Sequence, residues 1–184
     1  MGNHLDGWSD EKLMSRLMAG DSSALGPLVS RYYAQLLAYA FRLTQCNLQT
    51  AEDILQEAFV RLLTQKSFQP RRTLRPWLYR IVTNVAYDQN SHWRVGGSES
   101  FDDFESGSKG PEQQALDQES ATAVRDGLSQ LSDEHRAVLV MRFFQDMSLK
   151  ETAEALGIPI GTVKSRQSEA ARQLRAGLTA LEPL

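Results

Sequence analysis

The chain has 184 residues, 41% of them apolar, and a formal net charge of −3, which allows one medium domain or two small ones with modest cores. No apolar run approaches the roughly 20 residues of a membrane helix, and the start, "MGNHLDGWSDEK", lacks the charged-then-apolar pattern of a secretion signal. Cys46 is the sole cysteine, so an intrachain disulfide and a thiolate metal cage are both excluded, and a cytoplasmic protein without membrane insertion is expected.

In chain order, residues 9–20 read as a helix from a Ser9 cap to Gly20. Asp21 can cap a longer helix whose apolar positions, Leu25, Leu28, Val29, Tyr32, Leu36, Ala40 and Leu43, keep helical spacing; Pro27 marks a kink or the true start. In "TAEDILQEAFVRLL", Thr50 and Asp53 have capping-box spacing, with Ile54, Leu55, Ala58 and Leu62 on one face. "SFQPRRTLRP" breaks the chain before "WLYRIVTNVAYDQN", where Pro76 suits a first helical turn. "GGSESFDDFESGSKGP", residues 96–111, has no helical period and reads as a flexible acidic linker able to span on the order of 50 Å. Helices near 113–130 and 133–144 follow, and no strand is expected. The fold class is therefore all-α: two small helical domains, residues 1–95 and 113–184, joined by the linker at 96–112.

Charge is partitioned along this plan. Residues 1–95 carry 11 basic and 8 acidic residues, residues 96–130 carry 2 and 8, and residues 131–184 carry 7 of each. Between 61 and 94, seven basic residues stand against Asp88 alone. A local excess of that kind suits a polyanion.

The most legible stretch is "MSLKETAEALGIPIGTVKSRQSEAARQLRAGL". Ser148 and Glu151 form a capping box, Gly157 can end the short helix in a left-handed conformation, and a second helix runs from about Ile160 to Leu178. Its apolar edge is Val163, Ala170, Ala171, Leu174 and Leu178. Thr162, Ser165, Arg166 and Glu169 share the opposite face, flanked by Lys164 and Arg172. Two helices joined by a Gly-containing turn make a helix-turn-helix, whose second helix can read the DNA major groove. A plain helical hairpin with a solvated polar face has the same spacing.

A second basic element differs in character. In "RRTLRPWLYRIVTNVAYDQNSHWR", Leu78, Ile81, Val82 and Val85 form the inward stripe, and Arg80, Thr83, Asn84, Tyr87, Ser91 and Arg94 lie on the other side. Cations, rings and amides interleaved in this way suit separated nucleic-acid strands, whereas Trp77 reads as a core aromatic. Glu52, Asp53, Gln56 and Glu57 make an acidic strip, either an ordinary solvated face or a surface for a basic protein partner. His4, His92, His135 and Cys46 show neither ligand nor nucleophile spacing, and no glycine-rich phosphate loop is present, so neither an enzyme nor a metal or other cofactor is expected.

"AEDILQEAFVRLL", "WLYRIVTNVAYD", the acidic linker and "LSDEHRAVLVMRFFQDMSLKETAEALGIPIGTVKSR" together resemble the bacterial extracytoplasmic-function (ECF) sigma factors, over roughly residues 10–178. The resemblance implies a region 2 domain, a linker threading towards the RNA exit path and a region 4 domain. Its expected partners are core RNA polymerase, promoter DNA and an anti-sigma factor. It implies that Glu52, Asp53, Gln56 and Glu57 lie against the clamp helices of the largest polymerase subunit. Arg71, Arg72, Arg80, Asn84, Tyr87 and Asp88 would capture the single-stranded −10 element. Thr162, Lys164, Ser165, Arg166, Glu169 and Arg172 would read the −35 duplex. Three features depart from the family pattern: the weakly basic "NSHWR", Gln167 at a packing position, and Glu169 facing DNA, where it could accept from a cytosine amino group. The alternative is a stand-alone helix-turn-helix regulator, binding duplex as a dimer.

Overall fold

The computed structural model describes residues 7–45, 47–64, 73–93 and 122–179, and among them the regular elements are all helical. α1 spans Asp10–Met18, α2 Leu25–Leu43, α3 Leu48–Thr64 and α4 Leu74–Trp93. A helical segment over 122–129 (α5) precedes α6 (Asp133–Phe143), α7 (Leu149–Leu156) and α8 (Ile160–Thr179). The expected linker at 96–112 lies outside the described residues, as do His4, Cys46, Arg71, Arg72, Arg94 and the side chains of Ser91, His92 and Leu178.

Local chemistry sets most boundaries. Ser9 caps α1 by accepting from the Lys12 amide (3.4 Å). Asp21, expected to cap the long helix, instead caps a 3-10 turn, Ser22–Ala24, by accepting from the Ser23 amide at 3.1 Å. α2 starts just after that turn, so Pro27 falls in its first turn, where a missing N–H forfeits no intrahelical bond. The capping box expected at Thr50 and Asp53 does not form. α3 begins earlier, Asn47 Oδ1 accepts from the Thr50 amide at 2.8 Å, and Thr50 is buried within the helix. Pro76 stands in the first turn of α4.

In the N-terminal half α2, α3 and α4 pack on one another, and α1 closes over α2 and α4. In the C-terminal half α6 packs along α8, and Val138, Ala153 and Val163 tie α6, α7 and α8 together at the helix-turn-helix. Fully burying a Leu or Val side chain contributes about 1.5–3 kcal/mol, so each half depends on a few such contacts. The halves are docked, α4 against α7 and α2 against α6, and the apolar cluster runs across both.

Polar contacts cross the same boundary. The buried Tyr79 hydroxyl donates to Gln145 Oε1 at 2.6 Å, and Arg75 Nη2 donates to the Gln145 carbonyl. Arg136, 2% exposed, donates to the carbonyls of Leu128, Ser129 and Leu131 in its own half and to that of Leu43, at the end of α2, at 3.0 Å.

Candidate nucleic-acid interface

α4 carries two faces. Leu78, Ile81, Val82 and Val85 are buried, as the expected stripe requires, and Trp77 is a core aromatic at 7% exposure. Outward stand Asn84 and Asp88, both exposed, and Arg80, half-buried. Two expected outward residues turn inward. Thr83 is 2% exposed; its hydroxyl donates to the Tyr79 carbonyl at 2.7 Å and meets the Tyr39 hydroxyl at 2.8 Å. Tyr87 is half-buried against α6, donating to the Asp133 carbonyl at 3.3 Å. Burial pushes its hydroxyl up to about 12, and the nearby charges of Asp133 and Glu134 add to the shift. No ring free to stack on a base is therefore offered at Tyr87 while the halves are docked.

α3 presents the acidic strip much as expected. Asp53 and Gln56 are exposed, and Glu52 and Glu57 are half-buried. Beside them an open groove of about 550 Å³ runs between α3 and α4, lined by Asp53, Gln56, Glu57, Val60, Arg61 and Asp88 among others. Arg61 bridges the groove: Nε donates to Glu57 at 2.8 Å and Nη1 to Asp88 at 3.0 Å. These two partners hold the guanidinium in its charged form, with the Glu57 hydrogen bond the larger effect. One cation thus joins a residue of the expected polymerase set to one of the expected −10 set. The sequence reading counted Arg61 among the basic residues suited to a polyanion and missed its pairing with Glu57 and Asp88, and it missed the exposed apolar pair Val60 (53%) and Leu63 (49%). Their signal was present, since both are apolar positions off the inward stripe of α3.

The helix-turn-helix forms as its capping residues dictate. Ser148 Oγ accepts from the Glu151 amide (3.1 Å), and Glu151 Oε2 accepts from the Ser148 amide (2.8 Å). Gly157 ends α7 at φ 66°, and the Ile158 amide donates back to the Ala153 carbonyl at 3.1 Å. On α8, Val163 and Ala170 are fully buried. Lys164, Ser165 and Arg172 are exposed and Thr162 is half-buried. Ser168, unnamed in the sequence reading, is exposed on the same side one turn beyond Lys164 and Ser165.

Arg166 and Glu169 depart from a freely outward placement. Arg166 leans towards α6, where Nη2 meets Glu134 at 2.6 Å, and its side chain is 24% exposed. Glu169 accepts from Arg172 Nε and Nη2 (3.0 and 2.6 Å) and from Gln173 (2.6 Å). The Arg172 hydrogen bonds, followed by that from Gln173, hold its carboxyl down at about 2. A carboxylate engaged in this way is poorly placed to accept from a cytosine. Gln167, polar at a packing position, accepts from Arg142 Nε of α6 at 3.2 Å. Across the halves, Arg80 lies against the helix-turn-helix: a Cβ at Gly157 would stand 3.2 Å from Arg80 Nη2. Among the described residues no group of three or more His, Cys, Asp or Glu could hold a metal ion, and no helix is long and apolar enough to cross a membrane.

Comparison with known proteins follows this division. A family model described as Sigma-70 region 2 matches residues 28–95, and one described as Sigma-70, region 4 matches residues 127–176. The chain is 30% identical to the ECF RNA polymerase sigma factor SigW of Bacillus subtilis, over 91% of this chain and 96% of that one. It is 34% identical to the ECF RNA polymerase sigma factor SigL of Mycobacterium tuberculosis, with the same coverage. Among solved structures it is similar to CnrH in complex with the cytosolic domain of CnrY, at a TM-score of 0.68 and 26% identity, over 94% of this chain and 99% of that one.

Proposed function

We propose that this chain, which belongs to the ECF RNA polymerase sigma factors of the sigma-70 family, works by binding core polymerase, recognising the −35 and −10 promoter elements and helping to melt the duplex between them. It acts by binding in the cytoplasm, with no catalysis of its own, and an anti-sigma factor is its expected antagonist. The observation that carries this reading is the pairing, in one chain, of a helix-turn-helix with a second, differently built polar helix beside an acidic groove. The stand-alone regulator has no use for that second element.

Residue roles follow from exposure and chemistry. Lys164, Ser165, Ser168 and Arg172 form the outward stripe of α8 and are the −35 readers, with Thr162 beside them. Arg166, braced by Glu134, approaches from the side, and Glu169 orients Arg172. Asn84, Asp88 and Arg80 on α4 take the −10 strand together with Arg71 and Arg72, and Tyr87 joins them once the halves part. Glu52, Asp53, Gln56 and Glu57 meet basic groups on the polymerase clamp, with Val60 and Leu63 supplying apolar contact alongside.

Reconstituted transcription with core polymerase across a randomised promoter library tests the reading. Asn84→Ala should impair opening more than duplex binding, and equal loss of both steps counts against its role. Arg166→Ala should cost about 1–3 kcal/mol of discrimination at one −35 base. Uniform weakening across all sequences would make Arg166 a phosphate anchor instead.

A further inference from the structure

We propose that Glu134 and Glu169 are specificity-determining residues of the −35 reading: each neutralises one reading guanidinium, so that the arginine favours a base edge over a phosphate. The inference rests on the sigma-factor reading and names positioning residues that act through the readers. Three cations belong to the expected −35 set, Lys164, Arg166 and Arg172. Two of them are held by acids. Arg166 Nη2 meets Glu134, in the first turn of α6, at 2.6 Å. Arg172 donates through Nε and Nη2 to Glu169, one turn earlier on α8, at 3.0 and 2.6 Å. Lys164 is exposed and has no acidic partner among the described residues.

Local structure places both acids. Ser132 caps α6 by accepting from the His135 amide at 3.4 Å, which sets where Glu134 leaves the helix. Glu169 also accepts from Gln173 at 2.6 Å. The hydrogen bonds from Arg172, then Gln173, hold its carboxyl down at about 2, so it is charged at neutral pH.

Phosphate and base edge make different demands on these arginines. The gain from a phosphate is mostly counterion release, which needs an uncompensated positive charge. A guanidinium already beside a carboxylate has little of that gain left, and the carboxylate itself repels the backbone. A guanine edge is neutral and asks only for donors. A guanidinium carries five N–H donors. Glu134 meets one side of the Arg166 fork and Glu169 takes Nε and Nη2 of Arg172, so N–H donors remain on each. Both arginines can keep their acid and still donate to a base. Exposed pairs of this kind are weak, so the bias from each acid is about five-fold at most.

Two measurements on the full chain test this. Binding to a labelled non-promoter duplex across a salt series, without polymerase, reads the phosphate component. Binding of the holoenzyme to single-base −35 variants reads discrimination. Glu134→Gln and Glu169→Gln should each strengthen non-promoter binding about two- to five-fold. Each should steepen the fall of log K with log salt by about 0.9, the value for one further phosphate. Discrimination at one −35 base should drop by a similar factor. In an Arg166→Ala background, Glu134→Gln should change neither readout. Glu11→Gln, which removes an exposed charge from α1, should leave both as in wild type. Unchanged non-promoter affinity in both acid variants overturns the inference. So does an equal gain from Glu11→Gln, or an effect of Glu134→Gln that persists without Arg166. A wild-type chain that directs no initiation by core polymerase sinks the assigned function, while the polymerase-free arm still decides how the acids act.

Discussion

Replacing Arg136 should be the most damaging single change outside the apolar core. Its guanidinium is 3% exposed and donates to Leu128 (2.8 Å), Leu131 (2.7 Å), Ser129 (3.3 Å) and Leu43 (3.0 Å) carbonyls and to Asp133 Oδ1 (3.1 Å). Hydrogen bonds to a charged group are worth about 1.5–3 kcal/mol each, but some carbonyls will find water once the side chain is gone. Each buried carbonyl left without a partner costs about 1–3 kcal/mol, so with several of them affected a loss of about 3–5 kcal/mol is expected for Arg136→Met, which keeps volume and removes the donors. For a chain of this length it corresponds to a fall of roughly 10 °C in melting temperature. Thermal and urea unfolding followed by far-ultraviolet circular dichroism read both quantities. Arg136→Lys keeps the charge and loses the fork geometry, so it should fall between wild type and Met. If Arg136→Met loses less than about 1 kcal/mol, the carbonyls are satisfied without the guanidinium and the reasoning fails.

Gly157→Ala should destabilise by about 1–2 kcal/mol, because φ 66° is a left-handed conformation and the new Cβ would crowd Arg80 at 3.2 Å; unchanged urea unfolding would contradict this. The Glu169 carboxyl, held near 2 by Arg172 and Gln173, should titrate well below the ordinary glutamate range in a carbon-detected NMR experiment. Its folded value is depressed, so its contribution to stability is complete above about pH 4.5 and lost as pH falls towards 2. A midpoint near 4.5 would show that the pairing does not persist in solution.

What the sequence made legible was local. Ser9, the Ser148–Glu151 box and Gly157 each fix a helix end through contacts within four residues, so their spacing alone locates α1, α7 and the start of α8. The start of α3 was misplaced because Thr50 and Asn47 both satisfy a cap pattern, and local spacing cannot choose between them. On α4 the inward stripe was right and its width was not. The helix is covered by α2, α3 and α7 and meets the start of α6 at Asp133, which draws in Thr83 and Tyr87. Contacts such as Arg166 with Glu134 and Arg61 with Asp88 join residues 32 and 27 positions apart; two charges that far apart in sequence carry no spacing signal. The docking of the halves was illegible for the same reason.

The hydroxyl pair inside the N-terminal half has a geometric consequence. Tyr39 meets Thr83 and Thr83 meets the Tyr79 carbonyl, so a polar peg from α2 engages a single notch on α4. Turning α4 by one residue, about 100°, would strand the Tyr39 hydroxyl in an apolar interior, while Thr83 would keep the carbonyl of its own helix. The compass bearing of Arg80, Asn84 and Asp88 towards the outside is thereby set from within, by atoms that never meet nucleic acid.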